Sequence, residues 1–578
     1  MISDSGGKGR PTKVVEIKGD LVIVGGGMAG VCCAITAARE GVKVILVQDR
    51  PVLGGNASSE VRLWILGATS HMGNNNRYAR EGGVIDELLV ENTYRNPEGN
   101  TVIFDTILLE KVLEEKNITL LLNTAAYQVD KNRDENISSV LAFCSQNSTT
   151  YHLYAPLFCD ASGDGILGFL GGAAFRMGAE SSKEFDEHFA PVSEYGELLG
   201  HSIYFMSKDL GKPVSFTAPS YALKDITKVP HYRKFNVQDH GCWLWWIEYG
   251  GRLDTVHETE TIKWELWKVV YGVWDHLKNS GNFPEAENMT LEWVGLIPGK
   301  RESRRFEGLY MMRQSDIVDQ KIFYDAVGHG GWAIDLHPAD GVFSEKPSCN
   351  QWHSKGVYSI PYRSMVSHNI QNLFLTGRII SASHVAFGST RVMATCAHNA
   401  QAVGVAAALC KEHQFLPADL ASKENIPLLQ RRLLRAGQYI PHLSLSDYED
   451  IAGAATMDVS SSLQLDCLEP DGDWWPLKFS TAQMLPLPIG RCPKFKVELQ
   501  AISAVDLEVS LRKSHKSYNY TPEIVIAEKK ISVEAGRQEI EILFDIELSK
   551  AAYYFLCLHK NEEVKIATSD KRITGILS

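Results

Sequence analysis

The sequence lacks several features that mark membrane, secreted, metal-binding or nucleic-acid-binding proteins. None of its 578 residues lies in a run of about 20 apolar residues, and the first twenty residues are polar and contain no apolar signal core. We therefore expect no interaction with a membrane and a cytoplasmic location, or a periplasmic one if a leader has been removed.

Metal-like cysteine spacing and an excess of positive charge are also absent. The 11 cysteines include no C-x-x-C pair, so we expect reduced thiols and no metal site. The formal net charge of −12 disfavours nonspecific binding to nucleic acid. The expected partner is therefore a small-molecule substrate, and a homo-oligomer stays open.

The most informative stretch, residues 20–50, reads as a strand, a glycine turn, a helix and a second strand. Leu21–Val24 is a continuous apolar run, as in a parallel strand buried on both faces. Gly25, Gly27 and Gly30 follow in G-x-G-x-x-G register, which permits a tight turn, close approach of a pyrophosphate and close helix packing. The pattern predicts a dinucleotide site, and a purely structural glycine turn is the alternative.

The second strand of this stretch ends in an irregular ribose-binding position. Gln48 and Asp49 come directly after the apolar run Val42–Val47, where an acidic acceptor for the adenosine ribose usually lies. Gln48 can accept a hydrogen bond, and Asp49 carries the charge. The sequence leaves open which of the two binds the ribose.

Between about residues 190 and 360 the sequence becomes rich in aromatic residues. One group alternates, which predicts one face of a strand that either packs or stacks on a ring-shaped substrate: Trp243, Trp245, Ile247 and Tyr249. A second group has helical spacing, which favours core packing: Trp264, Trp267, Tyr271 and Trp274.

Five motifs carry a resemblance to a known family. They are LGGNASSE at Leu53–Glu60, DASGDG at Asp160–Gly165, RESRRFEG at Arg301–Gly308, TGR at Thr376–Arg378 and GSTRVMATCA at Gly388–Ala397. The chain resembles the FAD-dependent oxidoreductases of the glutathione-reductase-like Rossmann superfamily, in particular a bacterial group with these motifs. The resemblance covers about residues 20–410.

The resemblance and the sequence pattern together imply an α/β fold with a Rossmann-like FAD-binding domain, an inserted α+β substrate domain and a C-terminal antiparallel β-sandwich. The sandwich is indicated by short alternating runs separated by turn residues. The expected boundaries are a loose N-terminal arm (1–19), the first part of the FAD-binding domain (20–190), the insertion (191–360), the return segment (361–415), linker helices (416–444) and the sandwich (445–578).

In similar flavoproteins the glycine turn holds the pyrophosphate, the LGG loop passes under the cofactor and the DASG segment lies near the adenosine. The TGR turn contacts the flavin phosphate and ribityl chain, and a long helix starting near Thr390 points its positive end at the isoalloxazine, where it would stabilise negative charge. The resemblance thus implies FAD as cofactor, held by Gly25, Gly27, Gly30, Gln48, Asp49, Gly54, Gly55, Asn56, Asp160, Ala161, Gly163, Gly377, Arg378 and Thr390.

The reaction is narrowed by two absences. The position after the LGG loop reads Asn56-Ala57-Ser58-Ser59, where related disulfide reductases carry a cysteine pair, and no second G-x-G-x-x-G unit for NAD(P)H occurs. The expected reaction is hydride transfer between a substrate carbon and flavin N5, which needs an acid or base. His384 is the first candidate for that group, and a structural histidine is the alternative.

Arginines supply the remaining catalytic candidates. Arg391, expected at the start of the long helix, could stabilise the flavin or a substrate oxyanion. Arg301 and Arg305 could bind a carboxylate, although Glu302 and Glu307 stand beside them as partners for structural ion pairs.

The substrate is open between three hypotheses. Oxidation of a sugar or glycoside hydroxyl is favoured by the tryptophan-rich segment. Reduction of an unsaturated or keto acid would use the arginines as a carboxylate clamp. A redox-silent FAD protein that binds glycans is the third hypothesis.

Overall fold

The apolar run after Asp20 forms the middle strand of a parallel sheet. In the computed structural model, which describes residues 6–7, 9–69, 76–232, 237, 246–465, 467–573 and 575–577, this sheet has five strands in the order β19-β8-β2-β3-β4. Their bounds are β2 Leu21–Val24, β3 Val44–Val47, β4 Ile118–Leu121, β8 Leu157–Asp160 and β19 Leu373–Leu375. Every pairing in it is parallel; one face of the sheet packs against helices and the other face packs against strands of a second sheet. The predicted α/β class is therefore confirmed.

The helices cluster in the first of two units, which covers the described residues up to 445 except 76–78. Their bounds are α1 Met28–Arg39, α2 Val84–Arg95, α3 Thr101–Leu113, α4 Ile166–Gly171, α5 Ser182–Phe185, α6 Thr259–Asn279, α7 Gln314–Val318, α8 His384–Thr390, α9 Met393–His413 and α10 Ile426–Arg435. Helices α1 and α9 are apolar almost all round and are buried together in one core.

The long helix expected from Thr390 is in fact two helices. Helix α8 ends at Thr390, and α9 starts at Met393 after a bend of 92°. Val392 between them takes an extended backbone conformation with ψ 144°, which interrupts the helical hydrogen bonding. The sequence has no glycine or proline at 389–393 that would indicate this break.

Part of the expected N-terminal arm is a strand. Lys13–Lys18 (β1) pairs in parallel with Thr149–Tyr154 (β7) at the edge of a four-stranded sheet of order β1-β7-β6-β5, in which β5 is Thr124–Arg133 and β6 is Asn136–Cys144. Val15 and Ile17 are half-buried and alternate with exposed residues, which is the period of a strand with one covered face. A loose arm was therefore the wrong expectation for residues 13–18.

The aromatic segment contains short antiparallel strand pairs and one long helix. The pairs are β9 Phe175–Arg176 with β14 Arg305–Phe306, β10 His201–Ser202 with β12 Glu248–Tyr249, β11 Phe205–Asp209 with β13 Met289–Val294, β15 Ala326–Gly330 with β18 Tyr358–Pro361, and β16 Ile334–Leu336 with β17 Asn350–Trp352. Of the helical aromatic group on α6, Trp274 is buried, whereas Trp264 is 48% exposed. Trp243 and Trp245 of the alternating group lie outside the described residues.

The second unit comprises the described residues from 446 onwards and residues 76–78. It has two four-stranded antiparallel sheets, whose buried side chains share one hydrophobic core, and a two-stranded pair. The strands are β20 Trp474–Pro476, β21 Thr481–Leu487, β22 Gly490–Arg491, β23 Phe495–Ala501, β24 Val505–Lys513, β25 Ile524–Val533, β26 Gly536–Ile542, β27 Glu547–Leu548, β28 Ala552–Leu558 and β29 Val564–Ala567.

Among the described residues, no single helix is both long enough and apolar enough to cross a membrane. Only the bent pair of α8 and α9 reaches that length and composition together. Both of these helices are largely buried inside the first unit.

The packing of α1 against α9 makes a first prediction. A methyl group added at Gly404 would lie 2.8 Å from Cys33 O and 2.9 Å from Ala37 N, both backbone atoms. We expect Gly404→Ala to lower the free energy of unfolding by about 1–3 kcal/mol, despite the better helix propensity of alanine. Thermal unfolding measures the change. The control is Gly196→Ala, where no atom lies within 4 Å; equal midpoints for the two variants would contradict the packing.

Candidate active site

The glycine turn after β2 exposes the positive end of α1. Gly25 has φ +111°, a conformation that favours glycine, and its N–H donates to Val47 O at 2.7 Å. A Cβ on Gly30 would collide with Gly25 O. Helix α1 begins at Met28 with no side-chain cap and no acidic residue in its first turn. The N–H groups of this turn are therefore available to an anion.

The LGG loop lies directly against this turn. Gly54 and Gly27 pair as a parallel bridge, and the nearest atom to a Cβ built on Gly27 is Gly55 Cα at 4.0 Å. The side of Gly27 that a side chain would occupy is thus open space. Asn56, at the end of the loop, donates from Nδ2 to Lys300 O at 2.9 Å. Its amide fixes the loop to a distant segment of the chain.

Gln48 and Asp49 have different surroundings. Gln48 is buried, accepts the Gly26 N–H at Oε1 (2.7 Å) and donates from Nε2 to Val52 O (3.1 Å). Its amide therefore shapes the glycine turn. The side chain of Asp49 is 61% exposed. Asp49 is accordingly the more accessible acceptor of the two.

The first aspartate of the DASGDG segment is committed to its own loop. Asp160 is fully buried and accepts hydrogen bonds from Ser162 N (3.0 Å), Ser162 Oγ (2.7 Å) and Gly168 N (2.8 Å). Burial raises the pKa of Asp160, and these donors oppose that rise. Ala161 continues the sheet edge by donating its N–H to Val24 O at 2.8 Å. We conclude that Asp160 stabilises the turn that presents the following residues.

The second aspartate of that segment holds two cations. Asp164 accepts from Arg378 Nη2 at 2.9 Å and from Lys300 Nζ, and Arg378 Nη1 donates to Lys300 O at 3.3 Å. Gly163 and Gly377 have φ +78° on either side of this contact. Burial would raise the pKa of Asp164, but Lys300 and Arg378 outweigh it and lower that pKa to about 2. Arg378 is thereby fixed in place, and its Nε is buried without a partner.

His384 is the first residue of α8 and is held on one side of its ring only. Its backbone N–H donates to Glu180 Oε2 at 2.9 Å, and its ring Nδ1 lies 2.9 Å from Glu302 Oε2. Burial would raise the pKa of Glu302, but His384 and Arg305 outweigh it and lower that pKa. An ionised Glu302 accepts a hydrogen bond, so Nδ1 carries the proton. Within the described part of the chain, Nε2 has no hydrogen-bond partner, which leaves its lone pair open.

Arg305 is not placed to clamp a substrate. It is fully buried, and it donates to Glu302 Oε1 (3.0 Å), Glu180 Oε1 (2.9 Å), Ala382 O (2.6 Å) and Gly178 O. This corrects the expectation of a catalytic Arg305, because its donors are used inside the protein. Its contacts instead hold the carboxylates that position His384.

Arg301, Arg391 and Thr390 have surroundings that the sequence did not predict. Arg301 is largely buried, with Nη1 3.2 Å from Glu248 Oε2. Arg391 lies at the C-terminal end of α8 instead of a helix start, and its Nη2 donates to Asp335 Oδ2 at 3.0 Å. Thr390, the last residue of α8, is buried, and its Oγ1 has no partner. Arg301 and Arg391 therefore each use at least one guanidinium nitrogen in an ion pair within the protein.

Several residues at the site were not predicted from the sequence. Glu302 and Asp164 lie in the RESRRFEG and DASGDG motifs, and only a pairing of Glu302 with an arginine was expected. The others carry no local signal, because each has a partner 56 or more residues away along the chain: Glu180, Lys300, Glu248, Asp335 and His337.

A family model described as FAD dependent oxidoreductase matches residues 20–433. The chain belongs to this family, so it is an oxidoreductase with FAD as cofactor. The resemblance inferred from the motifs is confirmed at the level of the family. A redox-silent FAD protein is at odds with that membership.

More distant similarities were also found. An iron-sulfur subunit of the CoB–CoM heterodisulfide reductase of Methanopyrus kandleri is 48% identical over 46 residues, which span 8% of this chain and 7% of that relative. A geranylgeranyl bacteriochlorophyll reductase-like protein of Thermoplasma acidophilum has 12% identity and a TM-score of 0.32, with 73% of this chain and 86% of that chain covered. Adenylylsulfate reductase of Archaeoglobus fulgidus has 12% identity and a TM-score of 0.29, with coverage of 73% and 74%.

The residues at the sheet edge fit FAD. An uncapped helix start beside open space at Gly27 suits a pyrophosphate, and the unpartnered Nε of Arg378 needs an acceptor. Helix α9 also begins without a side-chain cap and without an acidic residue in its first turn. Its positive end would favour negative charge on a bound flavin.

Two glycines of the turn are expected to have different roles, Gly27 in binding FAD and Gly30 in folding. We expect Gly27→Ala to fold normally, because its Cβ meets open space, but to bind FAD at least tenfold more weakly. Gly30→Ala should lower the thermal midpoint of the FAD-free protein, because its Cβ would meet Gly25 O. Midpoints of the FAD-free protein and FAD titration measure the two effects. Equal FAD affinity of Gly27→Ala and wild type would contradict the assignment.

The ion-paired charge of Asp164, whose side chain is only partly buried, predicts a loss of stability in acid. Its folded pKa of about 2 lies below its ordinary value of 3.8, so its contribution is present above pH 3.8 and is lost as the pH falls towards 2. We expect Asp164→Asn to be less stable than wild type by about 2 kcal/mol at pH 7, with the difference shrinking below pH 4. Denaturant unfolding measures it. The control is Asp545→Asn at an 82% exposed site, and a pH-independent difference would contradict this origin.

Proposed function

We propose that this oxidoreductase converts a hydroxyl-bearing carbon of a small polar substrate, a sugar or glycoside, into a carbonyl. The observation that carries the proposal is the setting of His384: its Nδ1 is held by a buried carboxylate, and its Nε2 is open within the described residues. A base of this kind is what oxidation of an alcohol requires.

The chemistry divides between the protein and its cofactor. FAD, when bound, supplies the two-electron acceptor for the hydride that leaves the substrate carbon. His384 Nε2 accepts the hydroxyl proton as the carbon–oxygen double bond forms. Glu302 stabilises the imidazolium that results, because its carboxylate lies 2.9 Å from Nδ1. The pair thus works as a base and the group that orients it.

The surroundings of Glu302 keep that carboxylate in one position. It accepts the Leu199 N–H at 3.0 Å and the Arg305 Nε–H at 3.0 Å, in addition to its contact with His384. A fully buried carboxylate with three donors has little freedom to rotate, so the histidine ring is held in one orientation. We assign Glu302 as a positioning residue.

The alternative of an acid reductase is less well supported. It needs an arginine fork that is free to bind a carboxylate, and Arg305 has its donors engaged by four protein groups. We also propose that residues 191–360 act as the substrate domain, since Glu248, Arg301 and Asp335 come from it.

The proposal predicts flavin reduction by a sugar that depends on His384. Anaerobic mixing with a panel of monosaccharides and methyl glycosides should bleach the flavin absorbance at about 450 nm. We expect His384→Ala to slow bleaching by about 10²–10⁴-fold, with partial recovery on addition of imidazole. Glu302→Gln should lower the limiting rate without changing the half-saturating sugar concentration. Stopped-flow spectroscopy measures both quantities.

The control is His413→Ala, which removes a histidine at the exposed end of α9 and should react like wild type. If no sugar bleaches the flavin, the proposal fails. If enoates or keto acids reoxidise the chemically reduced protein while sugars do nothing, the acid reductase is the correct assignment.

A further inference from the structure

Four charged side chains surround the buried ring of His337 beside α8. They are Glu248 on β12, Asp335 on β16, Arg391 directly after α8, and Arg301, which lies between β13 and β14. His337 Nδ1 lies 2.8 Å from Glu248 Oε2, and its Nε2 lies 3.2 Å from Asp335 Oδ2. Because both carboxylates contact one imidazole, they lie close enough for one small ligand to reach both. We call His337 and these four residues the His337 cluster.

Three atoms of the His337 cluster are buried without a hydrogen-bond partner. They are Glu248 Oε1, Asp335 Oδ1 and Arg391 Nε. Glu248 is only 2% exposed and Asp335 only 6% exposed. An unsatisfied polar atom at such burial destabilises the folded protein, and more so when the group is charged. Three of them in one cluster indicate a missing ligand.

The carboxylates of Glu248 and Asp335 are ionised, so their oxygens can only accept hydrogen bonds. Burial would raise the pKa of Glu248, but Arg301 and His337 outweigh it and lower that pKa. His337 and Arg391 lower the pKa of Asp335 in the same way. Their unpartnered oxygens therefore carry lone pairs and need hydrogen donors, whereas Arg391 Nε needs an acceptor.

Only some ligand groups satisfy both requirements. A carboxylate or phosphate would accept from Arg391 but would bring no hydrogens for Glu248 and Asp335. An ammonium would donate to the two carboxylates but could accept nothing from Arg391. A hydroxyl group can both donate and accept a hydrogen bond. Neighbouring hydroxyls on a neutral ligand could therefore donate to Glu248 Oε1 and Asp335 Oδ1 and accept from Arg391 Nε.

The His337 cluster and the proposed acid-base group lie at opposite ends of the same helix. His384 begins α8 and Arg391 follows its last residue, so their backbones are seven residues apart, which is about 10 Å along an α-helix. We infer that Glu248, Asp335 and Arg391 form a subsite that binds neighbouring hydroxyl groups of a neutral polyhydroxylated substrate while another carbon of that substrate faces His384. This inference rests on the proposed function and names the groups that would select its substrate class.

The test measures binding separately from turnover. Holoenzyme is kept reduced with dithionite under anaerobic conditions, so that an alcohol has no acceptor for its hydride, and is titrated by calorimetry. The probes are the methyl α-pyranosides of glucose, galactose and mannose, with their 2-deoxy and 3-deoxy counterparts. We expect at least one parent glycoside to bind and at least one deoxy counterpart to bind less tightly.

The variants connect that binding to the His337 cluster. Glu248→Gln and Asp335→Asn should each raise the dissociation constant at least tenfold and remove the preference for the parent over the deoxy sugar. Arg391→Lys keeps the charge but lacks Nε, and it replaces either variant if that variant fails to retain FAD. Matched controls are Glu541→Gln and Asp545→Asn, which are exposed residues of the second unit and should bind like wild type.

Two outcomes overturn the inference. Either no glycoside binds, so that only water satisfies the three atoms, or the glycosides bind equally to wild type and cluster variants. Loss of sugar binding in the variants without flavin bleaching by any sugar would leave the subsite standing and reject the proposed reaction. If a sugar bleaches the flavin but binds equally well to the cluster variants, the proposed reaction stands and the subsite is rejected.

Discussion

The candidate site depends on one geometric constraint, which is that parallel strands end at the same edge of a sheet. The glycine turn follows β2, Gln48 follows β3, the DASGDG segment follows β8 and the TGR turn follows β19. Segments that are up to about 350 residues apart in the chain are therefore brought to one edge. The backbone bonds from Ala161 N to Val24 O and from Thr376 N to Asp160 O continue the sheet into these turns. The dinucleotide end of the site is thus a product of sheet topology more than of individual side chains.

The other end of the site depends on buried charge. Arg305 pairs with both Glu302 and Glu180, and all three are fully buried. His384 contacts Glu180 through its backbone N–H and Glu302 through Nδ1. Removing one partner of such a group costs about 3–5 kcal/mol, because the remaining charge is left uncompensated in the interior. The arginine that resembled a substrate clamp in the sequence is therefore part of the support that fixes the start of α8.

The sequence predicted those features that are encoded locally. The parallel sheet follows from continuous apolar runs, and the glycine turn follows from its spacing next to such a run. The break between α8 and α9 was missed because Thr390, Arg391 and Val392 carry no helix-breaking side chain. The partners of His384 and Arg391 were missed for a different reason. Glu180 and Asp335 lie far away in the chain, and no periodicity connects a carboxylate to a cation that only the tertiary fold brings near.

Helix α8 converts these separate contacts into one fixed arrangement. A Cβ on Gly388, in the middle of the helix, would lie 3.2 Å from both the N and the O of Asp335, so the glycine allows α8 to pack directly on β16. Asp335 is thereby held against the middle of α8, and Arg391, which donates to it, directly follows the helix. In the proposed reaction, the packing of α8 therefore sets where His384 lies relative to the hydroxyl subsite, and the side chains set which chemical groups each of them binds.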